Sequence, residues 1–147
     1  MEIAIRNSHE ADYHAILALI KEMADFEHMS DKMINSLDRM IAEKEFFNCF
    51  IAETIENKIV GYATYFYSYH TFVGKSLYMD DLYVMKDYRS FGIGTKLIKK
   101  VINFAKNSGC HRLRWQVSGW NIPAIKFYES LGAHIDGTEQ NCDLAFV

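Results

Sequence analysis

Proline occurs once in the 147 residues, as Pro123, and cysteine only three times, at Cys49, Cys110 and Cys142. An odd number of widely spaced cysteines with no C-x-x-C pair excludes a disulfide framework and a zinc knuckle, so all three read as buried thiols. Positive charge is also short: 16 Lys and Arg stand against 19 Asp and Glu, a net charge of -3. A general nucleic-acid binder needs a basic face to meet phosphates, so the balance favours a small cationic partner. No apolar run approaches the ~18 residues of a membrane span, and the opening MEIAIRNSHEAD lacks the basic start and apolar core of a leader. The six histidines are scattered without the i, i+4 pairing of a metal-binding helix, and no metal is expected. Repeats, linkers and low-complexity stretches are missing as well. These absences predict a soluble, cytoplasmic, single domain over residues 1–147, with neither nucleic acid nor membrane as partner.

What is present is a chain half hydrophobic and 14% aromatic, enough to bury one substantial core. Residues 1–6 alternate as a strand. Ser8 is placed to cap a helix carrying Tyr13, Ile16, Leu17, Ile20 and Met23 on one face and ending near Asp25 or Phe26. A second helix is expected from Ser30 or Asp31, with Met33, Leu37, Met40 and Ile41 inward. Residues 46–54 and 58–69 read as two strands joined by a tight turn at Glu56-Asn57. A strand at 111–117 follows a further helix that Gly109 stops. Asn121 caps a last helix with Pro123 in its first turn and Gly132 at its end, and the tail, 133–147, is expected to add one or two edge strands. The order β, α, α, three strands, α, β, α, β predicts an α/β layer fold, a mixed sheet with helices on both faces.

The rest of the chain is arranged around residues 77–100, LYMDDLYVMKDYRSFGIGTKLIKK. An apolar strand, 77–85, leads through a polar turn, 86–90, to Gly92 and Gly94. These open a helix with Ile93, Leu97, Val101, Phe104 and Ala105 at its spacing. Unpaired amides and the dipole at such a helix start favour an anion, glycines let the backbone come close, and Arg89 adds a fork of donors. The position of a third dinucleotide-fingerprint glycine is Leu97, and no Gly-Lys-Ser/Thr follows, so neither the dinucleotide nor the P-loop pattern fits. What remains is Arg-x-x-Gly-x-Gly at Arg89, Gly92 and Gly94, a pyrophosphate cradle.

Asp80 and Asp81 lie inside that otherwise apolar strand, which is costly unless they are paired or functional. Salt bridges to flanking Lys or Arg and a role in accepting protons from an ammonium are both open. Neighbours on a regular strand face opposite ways, so the two share a site only if a bulge re-aims one of them. Tyr128 falls on a buried stripe with Ala124, Phe127 and Leu131. Its ring can pack while its hydroxyl, of ordinary pKa about 10, serves a leaving thiolate of pKa near 8.5. Phe26-Glu27-His28-Met29 reads as a helix junction, either a solvated connection or a substrate wall. Cys110, next to His111, lacks the basic setting of a nucleophile.

YFYSYHTFVGKSLYMDDLYVMKDYRSFGIGTKLI, followed by Trp120-Asn121-x-Pro123-Ala124-Ile125-x-Phe127-Tyr128-x-x-x-Gly132-Ala133, resembles the diamine (spermidine/spermine) and thialysine acetyltransferase branch of the GNAT superfamily. IRNSHEADYHAILALIKEMADFEHM is similar too, so the resemblance covers nearly the whole chain. It implies the GNAT (acyl-CoA N-acyltransferase) fold, with acetyl-CoA as co-substrate in a gap beside a bulged central strand, no metal, and a homodimer. By position, Leu82, Tyr83 and Val84 would offer backbone to the acetyl and pantetheine end. Arg89, Ser90, Phe91, Gly92, Ile93, Gly94 and Thr95 would wrap the pyrophosphate. Asn121 and Tyr128 would contact coenzyme A, with Tyr128 protonating its sulfur. Asp80 would act as base, Asp81 would face the polyamine, and Glu27 and His28 would line the amine channel. Asp80 is one methylene shorter than the family's Glu, which favours proton transfer through water; Phe72 stands where Trp is usual. The chain reaches only Val147, short of a family tail that helps build the dimer.

The expected reaction is direct attack of a primary amine of a small polycation, a polyamine or diamine, on acetyl-CoA in a ternary complex. Two alternatives stand beside it: a lysine-like amino acid (thialysine) or protein amine as acceptor, and an acyl-CoA-binding sensor without turnover. An amino acid would need a cation for its carboxylate, and the sequence alone offers no clear candidate.

Overall fold

The computed structural model describes residues 1–146. Residues Met1–Trp115 form one compact unit and the chain from Gln116 a second. The first unit contains β1 (Ile3–Asn7), α1 (Tyr13–Phe26), α2 (Leu37–Ala42), β2 (Asn48–Thr54), β3 (Ile59–His70), β4 (Gly74–Val84), α3 (Ile93–Asn107) and β5 (Arg112–Arg114). The second carries α4 (Ile122–Ser130). None of these helices is long and apolar enough to cross a membrane.

The five strands form one sheet in the order β1-β2-β3-β4-β5. Pairing is antiparallel as far as β4 and parallel between β4 and β5, so the sheet is mixed. Alternation along the strands divides the side chains between two cores. On one face Tyr13, Ile16, Leu17 and Leu19 of α1 and Met40 of α2 pack with Cys49, Ile51, Tyr62 and Tyr83. On the other, Leu97, Ile98 and Val101 of α3 are fully buried, and Phe104 meets Phe50 and Tyr65 at ring distances of 6.2 and 5.0 Å. Each fully buried aliphatic side chain of this kind contributes about 1.5–3 kcal/mol. This is the mixed sheet with helices on both faces that the pattern of elements predicts.

Several boundaries differ for local reasons. Ser8 does not cap α1: its amide is bound to the carbonyl of Cys49 at 2.8 Å, continuing the edge of β1, and the cap positions fall at His9 and Asp12. Entry to the helix passes instead through a 3₁₀ turn, Glu10–Asp12, where the amide of His9 donates to Asp12 at 2.9 Å. The single helix expected from Ser30 is split into a 3₁₀ turn, Ser30–Lys32, and α2. Met33 turns extended, and Ser36 restarts the helix by accepting from the amide of Arg39 at 3.2 Å. The strand expected at 111–117 is only β5, three residues long. No strand forms in residues 133–146, where polar side chains close local turns such as Thr138 amide to Asp136 at 3.0 Å. The last predicted tail residue, Val147, lies outside the described residues.

Candidate active site

β4 is the strand that positions the candidate chemistry, through a break in its register and an open edge. Thr64 pairs with Asp81 but the next residue, Tyr65, pairs with Met79, so Asp80 is the extra residue of a β-bulge. The bulge answers the alternation problem. On β4 beyond it, Asp81 and Tyr83 lie opposite Thr64 and Tyr62, on the face covered by α1. Asp80, released from the ladder, sits close enough for its charge to raise the pKa of Asp81. On the other side of β4, β5 pairs only with Ser76, Leu77 and Tyr78. β5 ends opposite Tyr78, and among the described residues the edge from Met79 to Val84, including Leu82, Tyr83 and Val84, has no strand partner on that side.

Asp81 is mostly buried, and that burial is the main reason its pKa is pushed up to about 7; Asp80 and Glu27 add repulsion, and a hydrogen bond from Tyr62 partly opposes them. The Tyr62 hydroxyl donates to Oδ2 of Asp81 at 3.0 Å, and Oγ1 of Thr64 accepts from the Asp81 amide at 3.1 Å. Among the described residues no Lys or Arg forms a salt bridge with Asp80 or Asp81. Asp80 reaches solvent, yet partial desolvation still raises its pKa, and Glu27 is raised for the same reason. Three carboxyl groups without a cation therefore meet on this face, which favours an incoming ammonium.

His28 has a structural account of its own. It stands at φ 58, left-handed, and ends α1 in a Schellman turn, with His28 amide to Asp25 at 3.1 Å and Met29 amide to Ala24 at 2.8 Å. The junction thereby brings Glu27 toward Asp81, while the imidazole is exposed.

The glycine loop follows β4. Ser90 and Gly92 are left-handed at φ 70 and 78, and Gly92 occupies the cap position of α3 with no side chain capping the first turn. The first turn of α3 thus offers the unpaired backbone amides of an uncapped helix start, the kind that takes an anion. A Cβ on Gly92 would meet nothing within 4 Å, so the left-handed backbone, not packing, calls for glycine there. Ile93 is buried under the turn and Phe91 exposed beside it. The donor set suits a diphosphate, and the open edge of β4 suits an amide-rich chain laid along it. Arg89 is anchored from below: its Nε donates to the carbonyl of Val84 at 2.9 Å, and its guanidinium lies 5.0 Å from the ring of Phe26 and 5.3 Å from that of Tyr83.

In the second unit, Oδ1 of Asn121 accepts from the amide of Ala124 at 3.3 Å and caps α4, while Tyr128 is buried with its ring 5.4 Å from that of Phe127. Gly132, at φ 89, closes the helix. Among the described residues no cluster of three or more His, Cys, Asp or Glu could hold a metal ion.

Sequence reasoning passes over Tyr62, Thr64, Glu22 and Lys86. Tyr62 and Thr64 meet Asp81 only through the β3–β4 register, and Glu22 meets Tyr83 across 61 residues, its carboxylate accepting from the hydroxyl at 2.6 Å. No short-range pattern carries such pairings.

A bulged strand, a short parallel neighbour that leaves its second half open and an uncapped glycine turn fit an acyl-CoA-type N-acyltransferase fold, and known proteins agree. The family model described as "Acetyltransferase (GNAT) family" matches residues 10–133, and the chain belongs to that family as an N-acetyltransferase. Its curated relatives fall in the diamine and thialysine branch that the motifs resemble. A thialysine N-epsilon-acetyltransferase of Mus musculus is 40% identical over 153 residues, covering 97% of this chain and 89% of that one. The spermidine/spermine N(1)-acetyltransferase-like protein 1 of Homo sapiens is 34% identical over 88% of this chain and 20% of its own length. Among solved structures, an aminoglycoside acetyltransferase from a soil metagenome, in complex with sisomicin, has a TM-score of 0.81 at 24% identity, covering 97% of each chain. That last likeness is one of fold.

Proposed function

We propose that the enzyme transfers the acetyl group of acetyl-CoA to a primary amine of a small acceptor carrying more than one ammonium, by direct attack in a ternary complex. The observation that carries this reading is the group of three carboxyls, Asp80, Asp81 and Glu27, with no cation among them and with Asp81 pushed up to about 7. An alkyl ammonium of pKa about 10.4 is protonated at neutral pH, and freeing its lone pair costs about 4–5 kcal/mol. Asp80, whose pKa partial desolvation raises, is the acid placed to receive that proton, directly or through water, beside Asp81. In this scheme Asp81 draws the ammonium in and Asp80, freed by the bulge, takes its proton. Glu27 and His28 line the approach. Amides along Leu82, Tyr83 and Val84 hold the developing oxyanion. The turn from Ser90 through Phe91, Gly92, Ile93 and Gly94 to Thr95 holds the pyrophosphate, Arg89 fixes that turn and lends it positive charge, Asn121 contacts the cofactor, and Tyr128 protonates the departing sulfur.

Two acceptor classes fit the acids. A polyamine or diamine is favoured by the run of carboxyls, and a lysine-like amino acid by the relatives named for thialysine. A single domain over 1–147 and a homodimeric assembly belong to the same proposal. The family match running from residue 10 to 133 supports the first, and sedimentation tests the second. The primary test is thiol release from acetyl-CoA against spermidine, spermine, putrescine, lysine, thialysine and a lysine peptide. Turnover with a free small amine supports the reading. Turnover only with the peptide, or coenzyme A binding with silence across the panel, overturns it.

A further inference from the structure

The carboxyl group accounts for an ammonium but not for the cations beside it. On the α1 side of β4, two residues beyond Asp81, lies a hollow of about 380 Å³ lined by Glu22, Phe26, Tyr83, Lys86 and Arg89. We propose that this hollow is an α-amino-acid subsite: Lys86 receives a carboxylate, with the charge of Arg89 behind it beneath the glycine turn, and Glu22 receives an α-ammonium, while the ω-amine of the same acceptor reaches Asp81. The inference rests on the acetyl-transfer reading above and selects a lysine-like acceptor over a polyamine.

The hollow is prepared for such a group. Arg89 is held by the Val84 carbonyl and between the rings of Phe26 and Tyr83, so little side-chain freedom remains to be lost on binding. Neither Arg89 nor Lys86 makes an ion pair among the described residues. Glu22 is aimed by the Tyr83 hydroxyl at 2.6 Å. Two positive groups and one negative therefore face one another here, while Asp80, Asp81 and Glu27 are all acidic. A polyamine offers only ammoniums and meets like charge at Lys86 and Arg89. An amino acid with a side-chain amine presents a carboxylate, an α-ammonium and a distant ammonium, the same polarity from end to end.

Spacing agrees. Asp81 and Tyr83 are on the same face of β4, about 6.7 Å apart along the strand, roughly the reach of an extended four-atom side chain with its amine. The two regions are continuous: Phe26 of the hollow precedes Glu27, whose charge acts on Asp81, and the ring of Tyr83 lies 6.4 Å from that of Tyr62, which binds Asp81.

The test compares lysine with two probes lacking its negative charge, lysine methyl ester and 1,5-diaminopentane, in the unmodified enzyme and in Lys86→Met and Glu22→Gln. Both positions are exposed, so unchanged melting temperatures are the control for folding. Lysine is expected to exceed both probes in kcat/KM by about ten-fold, the value of one charge-assisted hydrogen bond. Lys86→Met removes that preference by raising KM for lysine, and leaves KM for diaminopentane and acetyl-CoA in place. Glu22→Gln weakens lysine and its ester together. Preference of the unmodified enzyme for diaminopentane or spermidine overturns the subsite, as does an equal loss on every acceptor in Lys86→Met. A rise confined to KM for acetyl-CoA also overturns it and gives the hollow to a coenzyme phosphate. Acetylation of amines without regard to their carboxylate sinks this inference alone, whereas no acetylation of any amine sinks the acetyl-transfer reading together with it.

Discussion

The hydroxyl of Tyr62, on β3, donates to Oδ2 of Asp81, on the facing β4, at 3.0 Å, and Tyr62 itself has no solvent exposure. The donor stabilises the charged carboxylate and so works against the desolvation and the neighbouring acids that raise its pKa. Sδ of Met23 lies 3.6 Å from the same hydroxyl, an apolar backing that leaves Asp81 as its strong partner.

Tyr62→Phe is therefore expected to move the pKa of Asp81 above about 7 while keeping the ring in place. Where ionised Asp81 is needed to draw in the ammonium, the acid limb of the kcat/KM profile shifts to higher pH. Activity then falls several-fold at pH 7 and recovers at pH 9. A stability cost of about 1–2 kcal/mol accompanies the change, because Asp81 loses a partner. An acid limb that stays where it was would detach Tyr62 from function and leave it a packing residue.

Asp81 also makes stability depend on pH. Its folded-state pKa, about 7, lies above the ordinary carboxyl value of 3.8. Between those limits the folded chain holds the proton that the unfolded chain has released, so stability falls as pH rises from about 4 to 7 and levels off above. Asp81→Asn lacks this penalty. The variant is expected to be more stable than the unmodified protein at pH 8, by about 2–4 kcal/mol at most, and to show no such gain at pH 4. Parallel denaturation curves at the two pH values check it; an equal difference at both would remove the titration of Asp81 as the cause.

Two glycines should respond differently to alanine. At Gly61 a Cβ would come within 3.0 Å of the Tyr83 carbonyl and 3.2 Å of Cδ1 of Leu97, both in packed surroundings, so Gly61→Ala is expected to lower stability by about 1–3 kcal/mol. At Gly92 the space is open, but φ is 78, and alanine there costs about 1–2 kcal/mol of backbone strain or rearranges the turn. Gly92→Ala should thus raise KM for acetyl-CoA, whereas Gly61→Ala should act on the melting temperature and spare that KM. The reverse pattern would separate the glycine turn from coenzyme binding.

Much of this architecture is legible in short stretches of sequence. The helix of Ile93, Leu97 and Val101 shows its period, and Gly109 and Gly132 mark helix stops that the structure confirms at φ 76 and 89. The sequence also poses the problem of Asp80 and Asp81, but its solution, one skipped residue opposite Thr64 and Tyr65, depends on which strand lies alongside. Tyr62 and Glu22 stay hidden for the same reason: their partners, Asp81 and Tyr83, are brought by the sheet register and by α1 packing on it, and Lys86 gains its setting beside Glu22 only in the folded chain. The expected tail strands and the longer strand after His111 fail because propensity cannot say whether a neighbour is there to pair with.

Tyr128 lies on α4, in the second unit. Asn121 caps α4 at its start, and a Schellman turn through Gly132 ends it, with the amide of Ala133 on the Tyr128 carbonyl at 3.2 Å. The residue's backbone is therefore fixed on both sides, and Tyr128→Phe alters the hydroxyl with little change in volume. If that hydroxyl gives its proton to the departing sulfur, kcat should drop by about 10²-fold, with KM for the amine little changed. Because no other group replaces the proton donor, the drop should persist across the pH profile, and a lower-pKa thiol as leaving group should shrink it. A variant that keeps full turnover at every pH would remove Tyr128 from the reaction and return its burial to packing alone.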